Sequence, residues 1–283
     1  MLGAVSAKFL QEKDCGDGMA DYDLRAIDAH CAAVVELFVY GMDYAYDEGW
    51  LAGMSMLGVA SGIASVKYDR LRFDTALGFC KSADEFSRHQ EILENKLVAS
   101  LCRFNFIWSA VESIIDVAIP LKNIKSPAGK INNACFFLKH NCHLNVGFSS
   151  YVFCLERLKT LILCCSQYGD FLKKNYFGDH VSLAGQGIYL AYRLRNRLAH
   201  GALGLPITRQ EDENHIDNEI VELCSRLVLY SIQMLIALRF RSSTPIVNWG
   251  GEEVEMQLAF THVQYARGLD IVMNTMQLDL DLN

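Results

Sequence analysis

Three arginines, an asparagine and a histidine crowd into one short run of the chain, Arg193-Leu-Arg195-Asn196-Arg197-Leu-Ala-His200, with Gly201 directly after it. A guanidinium is a permanently charged fork that matches phosphate oxygens. An imidazole gives and takes protons near neutral pH, and a small amide can orient either one. Together these residue types suit work on a phosphodiester.

Their spacing places them on a helix end. Leu190, Leu194 and Leu198 recur at helical spacing and form an inward stripe, while Arg193, Asn196, Arg197 and His200 fall on the opposite, polar side. Asn196 and His200 lie four apart and so adjoin; Arg195 sits five before His200, offset around the helix, within reach of a long side chain. A second reading needs no chemistry. Cations at a helix C-terminus favour the negative end of the macrodipole by about 0.3–1 kcal/mol each, so the cluster could simply finish a helix.

The surrounding elements read as mainly α. The 3.6-residue period predicts helices over 21–47, with Leu24, Ile27, Cys31, Val34, Val35 and Phe38 inward, and from Ser82 to Ile119, where Pro120 stops it. Ser82-Ala-Asp-Glu85 has the capping-box pattern. Ile92, Leu93, Leu97, Leu101, Phe104, Trp108, Val111 and Ile115 mark the buried face of that long element, with a break between 95 and 100 as an alternative. A short helix is expected over 132–140, further ones over 149–169, 181–200 and 218–240, and Gly201 suits the left-handed turn after a helix. Past Pro245 the pattern is ambiguous: Val254, Met256, Leu258 and Phe260 alternate as a strand would, yet Leu258, Tyr265, Leu269 and Met276 also fit a helix.

Composition narrows the class. The 283 residues are 51% apolar and 21% charged, enough for a full core and against general disorder. No repeat or low-complexity linker divides them. The net charge of −7 counts against a protein that coats nucleic acid non-specifically, although a few arginines at one cleft can still hold a phosphate. The ten cysteines form no Cys-x-x-Cys pair and lie mostly in apolar runs, as Cys102, Cys154 and Cys224 do, which fits small buried hydrophobes in a reducing, cytoplasmic setting. No secretory signal is expected, since Lys8, Glu12 and Lys13 interrupt the start.

Two segments invite a function and lose it on spacing. Residues 49–66 carry no charge and hold Gly58-Val-Ala-Ser-Gly62, but four glycines and three serines make a poor membrane span; a small-residue segment that breaks helical regularity and packs against neighbours is expected. Cys135, His140, Cys142 and His143 are soft ligands close together, at a spacing that matches no standard zinc site. No metal or other cofactor is expected. His30, His89, His180, His215 and His262 show no partner in sequence and read as surface or helix-end residues. The absence of a Gly-rich phosphate loop, a Gly-x-Ser-x-Gly elbow and a His-Glu-x-x-His argues against a nucleotide hydrolase, a serine esterase and a zincin.

Arg195-Asn196-x-x-x-His200 resembles the R-polar-x-x-x-H signature of the HEPN superfamily, and Phe106-Ile-Trp108-Ser-Ala-Val-Glu112 resembles the first-helix pattern of its larger families. The likeness covers roughly 84–242. It implies a HEPN-like helical bundle over 84–242, preceded by an N-terminal extension or small accessory region, 1–83, and followed by a C-terminal segment, 243–283, packed on the bundle. It further implies a homodimer whose two motifs face each other across a composite cleft, and a metal-independent endoribonuclease acting in toxin–antitoxin or anti-phage systems.

In that chemistry RNA supplies its own nucleophile, the 2′-OH, and the product is a 2′,3′-cyclic phosphate. His200 would be general acid or base, Arg195 would stabilise charge on the non-bridging oxygens, and Asn196 would orient phosphate or imidazole. Arg193 and Arg197 would add substrate-binding charge, and Glu112 would face the motif helix and pair with an arginine. The expected partners are RNA, a second copy of the chain and an antitoxin or other protein, with no membrane. The rival expectation is a non-catalytic HEPN-type module that binds RNA, a nucleotide or a protein.

Overall fold

The computed structural model describes residues 23–41, 48–69, 72, 80–119, 128–142, 148–164, 177–200, 211–240, 246–247, 253–254, 260–261 and 263–265. Seven helices run through these: α1 (Ile27–Gly41), α2 (Glu48–Gly62), α3 (Lys81–Ala118), α4 (Lys130–Asn141), α5 (Ser149–Cys164), α6 (Leu183–Ala199) and α7 (Glu211–Arg239). Two short strands follow, β1 (Ile246–Val247) and β2 (Glu253–Val254), paired antiparallel with Ile246 opposite Val254. The fold is mainly α, as the periodicity predicts.

α7 is the axis of the molecule. Every residue from Leu223 to Ala237 is buried, so the helix is covered on all sides rather than along one stripe. α1, α3, α4, α5 and α6 all pack on it, while α2 packs on α3 and α1. One continuous hydrophobic cluster runs from Ile27 on α1 to Val263 near the end of the described chain. α3 and the Ile216–Arg239 part of α7 are long and apolar enough to cross a membrane by length and composition. The α7 window is 94% buried inside the fold, so the packed core accounts for its hydropathy.

Three local expectations are corrected. Residues 48–62 form a helix despite four glycines, because tertiary packing overrides weak propensity. Trp50, Gly53, Met54, Leu57 and Ala60 turn inward, and a Cβ at Gly53 would lie 2.7 Å from Ile114 Cγ1, so glycine there lets α2 approach α3. At fifteen residues α2 is also shorter than the ~20 a membrane span requires. α3 runs unbroken for 38 residues and is capped not by Ser82 but by Cys80, with no side-chain capping bond; Ser82 instead pairs its hydroxyl with Cys80 Sγ at 3.1 Å. Ile92, expected inside, is 67% exposed, whereas Leu97, Phe104, Trp108, Val111 and Ile115 are buried. α1 starts at Ile27, and Leu24 bridges instead to Tyr265.

The expected helix over 149–169 is seen to Cys164, and Cys165 lies outside the described residues. Val254 is in a strand; Met256, Leu258, Leu269 and Met276 lie outside the described residues.

His30 reverses its sequence reading. It is fully buried, with Nε2 2.9 Å from Gln233 Oε1. Gln233 uses its amide nitrogen to donate to Phe260 O at 2.6 Å and Gln264 Oε1 at 2.8 Å, so its oxygen is left to accept and His30 must carry its proton on Nε2. Nδ1 is buried without a partner. Burial first, then the nearby positive charge of Arg226, push the imidazole down to about 3. The same region is tied by Arg25 Nε donating to Val263 O, Arg226 Nη2 donating to Arg25 O, and the hydroxyls of Tyr230 and Tyr265 meeting at Ser150 Oγ.

Candidate functional site

α6 brings the basic cluster to the surface. One side of its first three turns is sunk in the core: Ala184, Gly185, Gly187, Ile188, Leu190, Ala191 and Leu194 are buried. Two glycines make that fit possible. A Cβ at Gly185 would stand 3.2 Å from Cys135 Cα on α4, and one at Gly187 would stand 2.9 Å from Tyr151 Cε2 and 3.1 Å from Leu227 Cβ.

The phenol of Tyr151, fully buried, bonds to the backbone at the start of α6. Gly187 N–H donates to Tyr151 Oη at 3.0 Å, and the hydroxyl donates between Leu183 O at 2.8 Å and Ala184 O at 2.9 Å. Burial drives the phenol pKa well above its ordinary value, so it stays protonated and keeps donating.

Beyond Leu194 the helix leaves the core. Arg195, Asn196, Arg197 and Leu198 are half-buried, and Ala199 and His200 are exposed; Arg193, one turn earlier, is exposed as well. His200 is the C-cap, with φ −91° and ψ 7°, and its N–H donates to Asn196 O at 3.0 Å. That bond ties the backbones of the two residues expected to adjoin.

The side chains of Arg195, Asn196 and His200 form no hydrogen bond or ion pair with any described residue. No Asp or Glu occurs anywhere in α6. A chain of net charge −7 therefore presents one helix carrying three arginines and no carboxylate.

Trp108 on α3 anchors this end. It is 2% exposed and lies nearly parallel to Tyr192 on α6, with ring centroids 6.2 Å apart and planes 22° from parallel. Tyr192 is three residues before Arg195 and four before Asn196, so it sits directly beneath both on the helix surface. Sequence reasoning singled out Trp108 but not Tyr192; the i, i+3, i+4 spacing of Tyr189, Tyr192 and Arg193 was the available signal. Glu112 lies one turn past Trp108 and is half-buried. It forms no ion pair with an arginine among the described residues.

The soft-ligand run is not gathered. Cys135 is buried with Sγ toward Gly185 O at 3.5 Å, and burial pushes its thiol up to about 12. His140, exposed, turns Nδ1 to Phe136 O at 2.8 Å; Cys142 is half-buried, and His143 lies outside the described residues. No group of three or more His, Cys, Asp or Glu suited to a metal occurs among the described residues. His180 is partnered, its Nε2 3.1 Å from Asn132 Oδ1, and His89 is exposed. His262 and the side chain of His215 lie outside the described residues.

The arrangement offers a cationic helix end with one imidazole, one guanidinium and one amide unspent among the described residues. It can hold an anion, and it holds a proton carrier beside that anion. No family model matches the chain, and none of the curated proteins or solved structures compared with it matches significantly.

Proposed function

We propose that the chain is a metal-independent endoribonuclease of HEPN type, with Arg195, Asn196 and His200 as its working residues. The observation that carries this reading is that all three emerge together at the end of α6, with no bond to a described residue occupying their side chains. A cation that only served the helix dipole would work as well anywhere in the last turn. It would not need an exposed histidine beside a half-buried arginine and amide.

His200 moves the proton between the 2′-OH, the leaving 5′-oxygen and water. Arg195 meets the negative charge that grows on the phosphorane, and Arg193 and Arg197 raise the local potential. One open helix end excludes little water, so the site becomes complete when a second copy supplies the facing wall. A cytoplasmic defence or toxin role follows from an activity that attacks RNA.

The test is RNA cleavage by purified protein in EDTA, with end-group analysis of the products. Wild type is expected to leave 2′,3′-cyclic phosphates, and His200→Ala and Arg195→Ala to lower the rate by about 10²–10⁴-fold with the fold intact. Cleavage that requires Mg²⁺, or survives both substitutions, sinks the mechanism. Binding of RNA without any cleavage selects the rival, a non-catalytic module, which the open geometry of the single chain favours. Overexpression toxicity relieved by His200→Ala supports the defence or toxin setting.

A further inference from the structure

We infer that Tyr192, backed by Trp108, is a base-stacking platform that seats an unpaired nucleobase beside the Arg195–His200 phosphate site. The inference rests on reading that helix end as a phosphate site, and it adds what the phosphate contacts cannot provide, a preference for bases that are free to unstack.

The geometry is that of a stack continued outward. Trp108 is buried and fixed by α3, where Phe104 also leans on it at 6.2 Å. Tyr192 lies on it with its ring nearly parallel and remains partly exposed, and its hydroxyl bonds to no described residue. A platform whose underside is already stacked on a buried indole loses little freedom when a third ring is added.

Position and charge name the occupant. Tyr189, Tyr192, Arg193, Asn196 and His200 share one face of α6, at i, i+3, i+4, i+7 and i+11. Tyr189 continues the aromatic surface away from the motif, its ring centroid 6.5 Å from that of Tyr192. Three turns of one helix thus interleave aromatic rings and cations with no carboxylate among them, the combination by which proteins hold single strands: rings for base faces, arginines for the backbone. Tyr189 and Asn196 are seven residues apart, about 10 Å along the axis. That span brings the base nearest the held phosphate over the rings. An apolar protein partner would find three arginines in its way.

The experiment is fluorescence anisotropy with 2′-O-methyl RNA, which cannot be cleaved. A single-stranded oligomer, an abasic oligomer of equal charge and a duplex are each titrated with the full-length protein. Wild type is expected to bind the base-bearing strand more tightly than the abasic one. Tyr192→Ala is expected to erase about 5- to 150-fold of that preference, the usual weight of one stacked base, while Tyr192→Phe retains it and abasic binding is unchanged in both. Circular dichroism of each variant confirms the helical fold.

Equal affinity for base-bearing and abasic strands in wild type, a preference that survives Tyr192→Ala, or no binding to any probe overturns the inference. The two proposals separate cleanly. RNA cleavage in EDTA without base preference leaves the nuclease standing and removes the platform, whereas base preference without cleavage leaves the platform on a non-catalytic module.

Discussion

The hydroxyl of Tyr151 meets three backbone groups of α6: Gly187 N–H donates to it at 3.0 Å, and it donates to Leu183 O at 2.8 Å and Ala184 O at 2.9 Å. A side chain from α5 therefore ties down the start of the helix that carries the basic cluster. It couples the aim of the Arg195–His200 turn to a residue buried well away from it.

Tyr151→Phe removes the side-chain bonds to Gly187 N–H, Leu183 O and Ala184 O, so a loss of about 0.5–1.5 kcal/mol is expected in urea unfolding. Gly187→Ala presses a methyl group against the same ring and against Leu227, and overpacking of about 1–3 kcal/mol exceeds the ~1 kcal/mol that alanine adds in helix propensity. Because both changes act on one contact, the double variant should lose less than the sum of the two. Additive losses, or a Tyr151→Phe protein as stable as wild type, would show that the hydroxyl does not tie down the helix start.

Trp108→Ala removes a buried indole and the underside of Tyr192, and about 3–5 kcal/mol of stability should go with it. Trp108→Leu keeps apolar volume and should fold. Near-ultraviolet circular dichroism of Trp108→Leu should lose the signal of the paired rings, and Tyr192→Leu should remove the same signal. Distinct spectral losses from the two variants would mean that the rings do not report one stack.

His30 predicts a pH dependence with a definite sign. Its folded pKa, about 3, lies below the ordinary value of 6.5, so the unfolded chain takes up a proton first as pH falls. The stability from its neutral form is complete above 6.5 and is lost below it, at about 1.4 kcal/mol per pH unit down to about 3. Protonation would place an N–H on Nδ1, which has no acceptor, in the field of Arg226 and Arg25. Urea midpoints at pH 7 and pH 5 check this: His30→Asn should be less stable at pH 7 and flatter between the two. A variant with the wild-type slope would assign the titration to other groups.

Cysteine reactivity should follow burial. Cys80 and Cys164 are exposed and should be alkylated in the native protein, while Cys31, Cys135, Cys154 and Cys224 wait for unfolding. The Ser82 hydroxyl and the backbone N–H groups of Ser82 and Ala83 hold the Cys80 thiol below its usual value, so Ser82→Ala should slow labelling there. Mass mapping after brief treatment with iodoacetamide decides it. Rapid native labelling of Cys31 or Cys154 would contradict the packing of α1 and α5.

Helices with one apolar stripe were legible in the sequence, and α6 is the clearest case. Leu190 and Leu194 go in, and Arg193 and His200 stay out, because a 3.6-residue period needs no knowledge of neighbours. α2 was not legible. Its glycines read as breaks until Ile114 on α3 shows why a side chain cannot stand at Gly53.

His30 failed for the same reason, since its partner Gln233 is 203 positions away and leaves no local trace. At the site, residue types and helix position were readable, whereas the Trp108–Tyr192 stack was not. That contact joins two helices whose adjacency only the packed core specifies.

The polar knot around Gln233 also sets an order of events during synthesis. Arg25 reaches Val263 across 238 positions, and Gln233 takes its acceptors from residues 260 and 264. At about 5–20 residues per second, a nascent chain waits roughly 10–50 s between making His30 and making Gln264. Through that interval α1 has a histidine to bury, and Arg25 just before it has an acceptor to find, before all the groups that satisfy them exist. The bundle can be threaded from its first helix, but its seal waits until Gln264 has been made.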